Sequence, residues 1–335
     1  MLEQGRKTKA VGLLSGGLDS TLAARLMLEQ GIEVHAINFW SPFCTCTAKS
    51  AGCPAVITAI KQLGDITLKR VAMGDEYLEM IRKPKHGYGR GMNPCIDCRI
   101  MKLKISVEYM REIGASFLFT GEVLGQRPMS QYHAAFDIID RKSGLGGLIL
   151  RPLSAAYLKP TVPEQKGWVD RTKLLNIEGR SRKKQISLAS GMGINDYPCP
   201  AGGCLLADCI FGERVRDYFA RVEKPSINDI PLLKTGRHRK MPNGDIVITA
   251  RDENEGNTLL KIARPSDHLL VPDFPGPVVV LQGIDVIGSI RILLEYTKKD
   301  VPQNATVKHV FNGNNEIYYI SNFTGVPREI ARRDS

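Results

Sequence analysis

The sequence predicts an α/β fold, a doubly wound parallel sheet followed by a smaller β-rich α+β domain. Three observations carry this. An apolar run at 11–14, the loop Ser15-Gly16-Gly17-Leu18-Asp19-Ser20 and a helix-like run at 21–28 follow one another directly. Strand, tight glycine loop and helix in that order open a βαβ unit. Residues 32–40 then alternate as a second buried strand, after Gly31 has stopped the helix. Beyond about residue 212 the texture changes to strand-like runs at 245–250, 258–263, 277–282, 306–311 and 316–320. Asn243-Gly244 and Asn312-Gly313-Asn314 between such runs are hairpin signals. The expected division is therefore 1–211 and 212–335.

Within the first domain, 54–63 reads as a helix, 67–73 as a strand and 75–82 as a short helix. Residues 83–91, Lys-Pro-Lys-His-Gly-Tyr-Gly-Arg-Gly, form a basic loop that is mobile when empty. It suits either closure over a phosphate backbone or a solvated linker. A helix at 95–113 and a short strand at 116–120 come next, then an apolar patch at 148–150. Residues 181–189 read as a helix exposing Arg182, Lys183 and Lys184, and 197–204 must be irregular.

The bulk numbers bound the class. A chain of 335 residues with 43% hydrophobic and 24% charged residues fits a soluble protein of two domains. No apolar run reaches the roughly 18 residues of a membrane span, and the first residues lack a signal-peptide core, so a cytoplasmic location is expected. A net charge of +11 favours a polyanionic partner. Eight cysteines in such a chain point to metal binding or catalysis rather than to disulfides.

The loop at 15–20 is neither a Walker A loop nor a dinucleotide G-x-G-x-x-G. Its two glycines let backbone approach a ligand, and the following helix N-terminus offers N–H groups to phosphate. Ser15 and Ser20 add hydroxyl donors. Cys95 and Cys98 form a C-x-x-C at a helix start, where thiol pKa values fall. By itself that spacing reads as half a zinc site, two ligands of an iron–sulfur cluster, or a redox pair. Cys44, Cys46 and Cys53 follow the second strand, with Cys209 a conceivable partner. They could hold a second metal site, relay sulfur, or lie inert. His35 reads as a packed strand residue. Trp40 and Trp168 read as core or pocket wall. The run Gly236-Arg237-His238-Arg239-Lys240 reads as a basic turn, able to bind a phosphate backbone or simply solvated.

S-G-G-x-D-S after a strand resembles the PP-loop of the ATP pyrophosphatases. Thr120-Gly121-Glu122-Val123-Leu124-Gly125-Gln126, continuing to Ser130-Gln131, resembles the T-G-E-x-L-G-Q-x-x-S-Q stretch of ThiI, the tRNA 4-thiouridine synthase family. Cys95-x-x-Cys98 with Lys102 resembles the cysteine helix of archaeal-type ThiI, and Leu150-Arg151-Pro152-Leu153 matches that family's L-R-P-L. Gly203-Cys204-Leu205-Leu206 resembles the second catalytic cysteine loop of MnmA, the tRNA 2-thiouridylase family. The resemblance covers roughly 10–210. Counterparts of ThiI's ferredoxin-like, THUMP and rhodanese domains are not expected. The stretch 232–239 and the strands after it resemble, faintly, the RNA-binding domain of NFACT proteins.

The resemblance implies an ATP-dependent tRNA uridine sulfurtransferase. Ser15, Gly16, Gly17, Asp19, Ser20, Gly121, Glu122 and Gln126 would bind ATP, with Mg2+ neutralising phosphate charge, and Gln131 would contact nucleotide or base. Cys95, Cys98 and Cys204, with Asp19, would be catalytic. The three thiols would hold a 4Fe-4S cluster, with Cys199 the alternative third ligand and zinc the lesser alternative to the cluster. The rival chemistry is a cysteine persulfide resolved as a disulfide. RNA contacts fall to Arg182, Lys183, Lys184, Arg237, Arg239 and Lys240. Implied partners are tRNA and a sulfur donor, either sulfide or a persulfide carrier protein, with a homodimer left open. Competing functions are a PP-loop ligase or sulfur-insertion enzyme acting on a small molecule, and an RNA-associated nucleotide-binding factor with a structural metal.

Overall fold

The computed structural model describes residues 7–45, 54–64, 66–198, 203–298, 300–321 and 329–332, the side chains of 321 and 329–332 excepted. The chain forms two compact units that divide between Ile227 and Asn228. The expected boundary after residue 211 instead falls inside a helix, Cys209–Arg221. Phe211, Val215, Tyr218 and Phe219 on it are buried, and the Phe211 ring lies edge-on to Phe43 at 6.1 Å. Those contacts bind the helix to the first unit.

The first unit contains β1 (Lys9–Leu13), α1 (Leu18–Glu29), β2 (Glu33–Trp40), α2 (Pro54–Leu63), β3 (Thr67–Ala72), α3 (Asp75–Arg82), α4 (Cys95–Glu112), β4 (Phe117–Thr120), α5 (His133–Ser143), β5 (Ile149–Leu150), α6 (Val162–Gln165), α7 (Lys183–Gly191) and α8 (Cys209–Arg221). Its five strands are parallel in the order β3-β2-β1-β4-β5. The order reverses between β1 and β4, and ligands of open α/β sheets bind at that switch point, beyond the strands' carboxyl ends.

Side chains alternate across the sheet. Ala10, Val34, Ala36, Phe117 and Phe119 pack toward α1 and α2. Val11, Leu13, Ile37 and Leu118 pack toward α4 and α5. Covering both faces explains why these strands read as near-continuous apolar runs. Gly12 is glycine because a Cβ there would stand 2.3 Å from the buried Phe119 ring.

The second unit contains α9 (Ile230–Lys234), β6 (Arg237–Lys240), β7 (Ile246–Thr249), α10 (Glu253–Ile262), β8 (His268–Pro272), β9 (Val279–Gln282), α11 (Val286–Glu295), β10 (Ala305–Phe311), β11 (Asn314–Ser321) and β12 (Glu329–Arg332). The strands form an antiparallel sheet ordered β12-β11-β10-β8-β9-β7-β6. Asn312 and Gly313, both at positive φ, turn the β10–β11 hairpin, as the sequence led us to expect. Two expectations fail here. Residues 258–263 are not a strand. They lie largely in α10, which Asp252 caps by accepting the Glu255 N–H at 2.9 Å, and which buries Leu259 against Ile246, Ile248 and Val280. Residues 237–240 are an edge strand rather than a turn. Among the described residues no helix is long and apolar enough to cross a membrane.

Candidate active site

The glycine loop lies at the switch point. Ser15 and Ser20 brace it from within, since their hydroxyl oxygens are 3.1 Å apart and the Ser20 hydroxyl donates to the Gly17 carbonyl at 2.9 Å. The cap residue of α1 is Gly17, and no side chain caps this end. The first-turn N–H groups are left for a ligand. Gly16 has φ +78°, and a Cβ on it would meet the Ala55 backbone at 2.3 Å. A Cβ on Gly121 would meet the Ser20 backbone at 2.5 Å, so the chain leaving β4 rests on the first turn of α1.

Asp19 accepts from Gln126 Nε2 at 2.9 Å and pairs with Arg182 at 3.3 Å. Arg182, expected on RNA, thus serves the loop, while Lys183 and Lys184 beside it are exposed. Asp19 Oδ1, Gln126 Oε1, Gln131 Oε1 and Asn38 Oδ1 are buried acceptors with no hydrogen-bond partner among the described residues. Asn38 is tied to the loop, since its amide donates to the Leu14 carbonyl at 2.8 Å. Buried polar atoms are normally satisfied, so the orphans at Asp19, Gln126 and Asn38, which are tied to the loop, fit a ligand bearing donors or a cation.

Glu122, expected to line the nucleotide, has its carboxylate in a buried ion network instead. It pairs with Arg99 at 2.9 Å and Arg151 at 3.1 Å, and Arg151 reaches on to Asp140 at 2.6 Å. Burial alone would raise its pKa, but the two guanidinium groups outweigh burial and hold it below the usual value. This network ties the cysteine helix to the loop. Arg99 follows Cys98 in the chain, and Glu122 follows Gly121, which sits on Ser20.

The described cysteines come together in a way the spacing did not reveal. Cys95 opens α4 and Cys98 lies one turn on. Asn93 Nδ2 donates to Cys95 Sγ at 3.1 Å, and the Tyr77 hydroxyl lies 3.4 Å from Cys98 Sγ. Cys44, just after β2, is bridged antiparallel to Cys204. The Cys204 segment is held on its other side by Met92 N–H donating to the Leu206 carbonyl at 2.7 Å. Tyr77 feels the charges of Cys98, Cys204 and Cys44, after burial itself, and all of these raise its pKa far above the ordinary value. Cys209 stands apart, exposed, with its thiol near the Arg90 carbonyl at 3.6 Å. Cys46, Cys53 and Cys199 lie outside the described residues.

Burial is the largest influence on the Cys95 and Cys204 thiols. It raises the pKa of Cys95 against the Asn93 hydrogen bond, and it pushes Cys204 up to about 12. The lowered pKa expected at the helix start is therefore not found at Cys95. Because only the thiolate is nucleophilic, Cys204 will alkylate far more slowly than the exposed Cys209 at pH 8. Its rate will keep climbing with pH through the range where an ordinary thiol has levelled off. Time-resolved alkylation with peptide mass spectrometry checks this, and equal rates at pH 8 would contradict it.

Among the described residues, no group of three His, Cys, Asp or Glu side chains is placed to hold a metal ion. The three-thiol centre expected at Cys95, Cys98 and Cys204 is thus not assembled as a ligand set. The basic loop at 83–91 is braced rather than loose. The His86 ring meets Asp97 at 2.9 Å, the Tyr88 hydroxyl donates to the Ile81 carbonyl at 2.8 Å, and Gly91 N–H donates to Asn93 Oδ1 at 3.2 Å. Trp168 stacks on Phe117 at 6.4 Å as a core residue, and His35 meets Glu33 at 2.8 Å. In the second unit Arg237 lies over the Tyr296 ring at 5.4 Å, and Arg239 pairs with Glu295. A cavity of about 300 Å3 lined by Lys7, Leu28, Ile32 and Thr67 opens at the amino ends of the strands, away from the loop. Sequence reasoning missed Tyr77, Asn93 and Arg99. Asn93-Pro94 before the C-x-x-C was the one available signal, while Tyr77 joins only through packing.

The family model described as Thiamine biosynthesis protein (ThiI) matches residues 5–159. This stretch is similar to that family, over less than half of the chain. It contains the glycine loop, the C-x-x-C helix and the 121–131 segment, while Cys204 lies beyond it. A probable tRNA sulfurtransferase of Thermoanaerobacter sp. (strain X514) is 36% identical over 128 residues, 37% of this chain and 32% of the relative. The tRNA-specific 2-thiouridylase MnmA of Pelotomaculum thermopropionicum is 32% identical over 127 residues, 34% of this chain and 35% of the relative. The chain thus spans about a third of the length of the curated relatives it matches. A solved 4-thiouridine synthetase–RNA complex with bound ATP aligns at TM-score 0.40 and 20% identity, over 68% of this chain and 52% of that one.

Proposed function

We propose that this chain is an ATP-dependent tRNA uridine sulfurtransferase. The observation that carries the reading is the contact chain from the phosphate-type loop to the thiols, running Ser20, Gly121, Glu122, Arg99, Cys98. A nucleotide-activating loop joined to a set of cysteines suits activation of an oxygen followed by its replacement with sulfur. The names of the relatives, tRNA sulfurtransferase and 2-thiouridylase, support the same reading.

The N-terminus of α1 and Ser15, Gly16 and Gly17 cradle the phosphates of ATP. Asp19, fixed by Gln126 and Arg182, offers a carboxylate to a cation. Mg2+ there would neutralise phosphate charge as the α-phosphate is attacked. A uridine carbonyl oxygen attacks it, pyrophosphate leaves, and the base carries AMP, a far better leaving group than oxide. Sulfur from a persulfide on Cys204 then displaces AMP. The antiparallel pairing of Cys204 with a second thiol, Cys44, supports this route. Arg237, Arg239 and Lys240 on the edge strand of the second unit, with Lys183 and Lys184, are proposed contacts for the tRNA backbone.

The test is an assay of the purified protein with ATP, bulk tRNA and a sulfide or persulfide donor. It reads pyrophosphate and the sulfur content of tRNA nucleosides. The expected result is thiouridine with wild type, and pyrophosphate without thiouridine for Cys204→Ala. Sulfur appearing in a small acceptor while tRNA gains none would overturn the reading in favour of a small-molecule enzyme.

A further inference from the structure

The resemblance to known families assigns Cys95, Cys98 and Cys204 and leaves Cys44 without a role. The fold does not. Cys44 and Cys204 face each other as an antiparallel pair. Thr45 N–H donates to the Gly203 carbonyl at 3.2 Å and Leu205 N–H donates to the Phe43 carbonyl at 2.8 Å. Those bonds flank the pair, which makes it a non-hydrogen-bonded pair, with Cα atoms typically about 4.5 Å apart. A disulfide spans Cα separations of about 4.4–6.8 Å. The Thr45 hydroxyl and Gly203 bind each other twice more, at 3.1 Å each, locking the register. Cys95 and Cys98 sit on α4 instead, outside this strand pair, with Asn93 and the Tyr77 hydroxyl at their sulfurs, while the Ser41 hydroxyl lies 3.7 Å from Cys44 Sγ.

From this register, and resting on the sulfur-transfer reading above, we infer that Cys44 is the resolving thiol of Cys204, closing a reversible cross-strand disulfide at the end of each transfer. Cys204 first receives a sulfane sulfur from a persulfide donor, giving Cys204–S–SH. The terminal sulfur bonds to the activated base carbon as AMP leaves, giving Cys204–S–S–base. The Cys44 thiol loses its proton to solvent and attacks Cys204 Sγ. The bond between Cys204 Sγ and the transferred sulfur breaks, and its electron pair leaves with that sulfur. The sulfane sulfur is reduced to the thiocarbonyl sulfur, which regains a proton at the base, and the two thiols are oxidised to the disulfide. A dithiol reductant then restores both thiols.

The first experiment needs no tRNA. The full protein carrying Cys46→Ser, Cys199→Ser and Cys209→Ser, so that Cys44 and Cys204 are each the one cysteine of their tryptic peptide, is oxidised with diamide, alkylated and mapped without reduction. The expected product is a Cys44–Cys204 peptide pair that dithiothreitol separates. Cys204 linked to Cys95 or Cys98, or Cys44 and Cys204 both alkylated, would overturn the inference whatever the enzyme's substrate. The second uses Cys44→Ser supplied with a persulfide donor, ATP and tRNA. A reducible covalent tRNA adduct on Cys204 is expected, with steady-state thiolation down about tenfold or more. Wild-type turnover by that variant would overturn it. If the disulfide forms but tRNA gains no sulfur even in wild type, the sulfurtransferase reading fails while the Cys44–Cys204 pairing stands. If Cys44→Ser does not fold, the mapping experiment decides alone.

Discussion

Glu122→Ala will destabilise the first unit by about 3–5 kcal/mol, the usual cost of removing one member of a buried ion pair. Glu122 and Arg151 are 2% and 3% exposed, so the arginine left behind keeps its charge in a dry site. Asp140 still pairs with Arg151 on one side, and the Phe136 ring lies 4.0 Å from its guanidinium carbon. Arg99, itself largely buried, loses its carboxylate. Both tryptophans of the chain, Trp40 and Trp168, lie in the first unit. Urea unfolding followed by tryptophan fluorescence therefore reports this unit separately. A loss under about 1 kcal/mol would place the network among weakly coupled surface pairs. The pH dependence has a definite sign. Glu122 has a folded pKa below its unfolded value. Its contribution is therefore present above the ordinary carboxylate pKa and is lost as pH falls through the folded value. Glu122→Gln should flatten the acid limb of the stability curve.

Asp19→Ala will abolish pyrophosphate formation, by about a hundredfold or more, the scale on which a lost preorganised electrostatic contact acts. The substitution removes the carboxylate that Gln126 and Arg182 both grip. It also removes Oδ1, one of the orphaned buried acceptors around the loop. Pyrophosphate release with saturating ATP and tRNA, alongside nucleotide binding by calorimetry, separates lost chemistry from lost binding. Pyrophosphate formation at the wild-type rate would mean that Asp19 only holds Arg182 in place.

The first unit's architecture was legible because local signals agreed with the global fold. The alternating run at 32–40 and the glycine loop between the 11–14 run and α1 each point to one packing. The second unit was less legible. Leu259 and Leu260 after Thr258 look like strand residues in isolation, and only the Asp252 cap and the sheet beneath Leu259 make the segment a helix. The edge strand β6 hid in a basic run because its charged residues face solvent, and the ladder to β7 alone defines it. The boundary was placed too early because α8 is held by Phe43, a contact 168 residues away in the chain.

The sequence by itself determined the glycine loop, the parallel sheet and the identity of the residues that could do chemistry. Those follow from backbone sterics, periodicity and side-chain functional groups, all of which are local. Only the tertiary structure decided which of those residues meet. It put Arg182 on Asp19, took Glu122 into an ion network, and set Cys44 opposite Cys204. It also reversed the expected thiol chemistry at Cys95, because burial depends on how distant segments close over a site, and there it outweighs the Asn93 hydrogen bond.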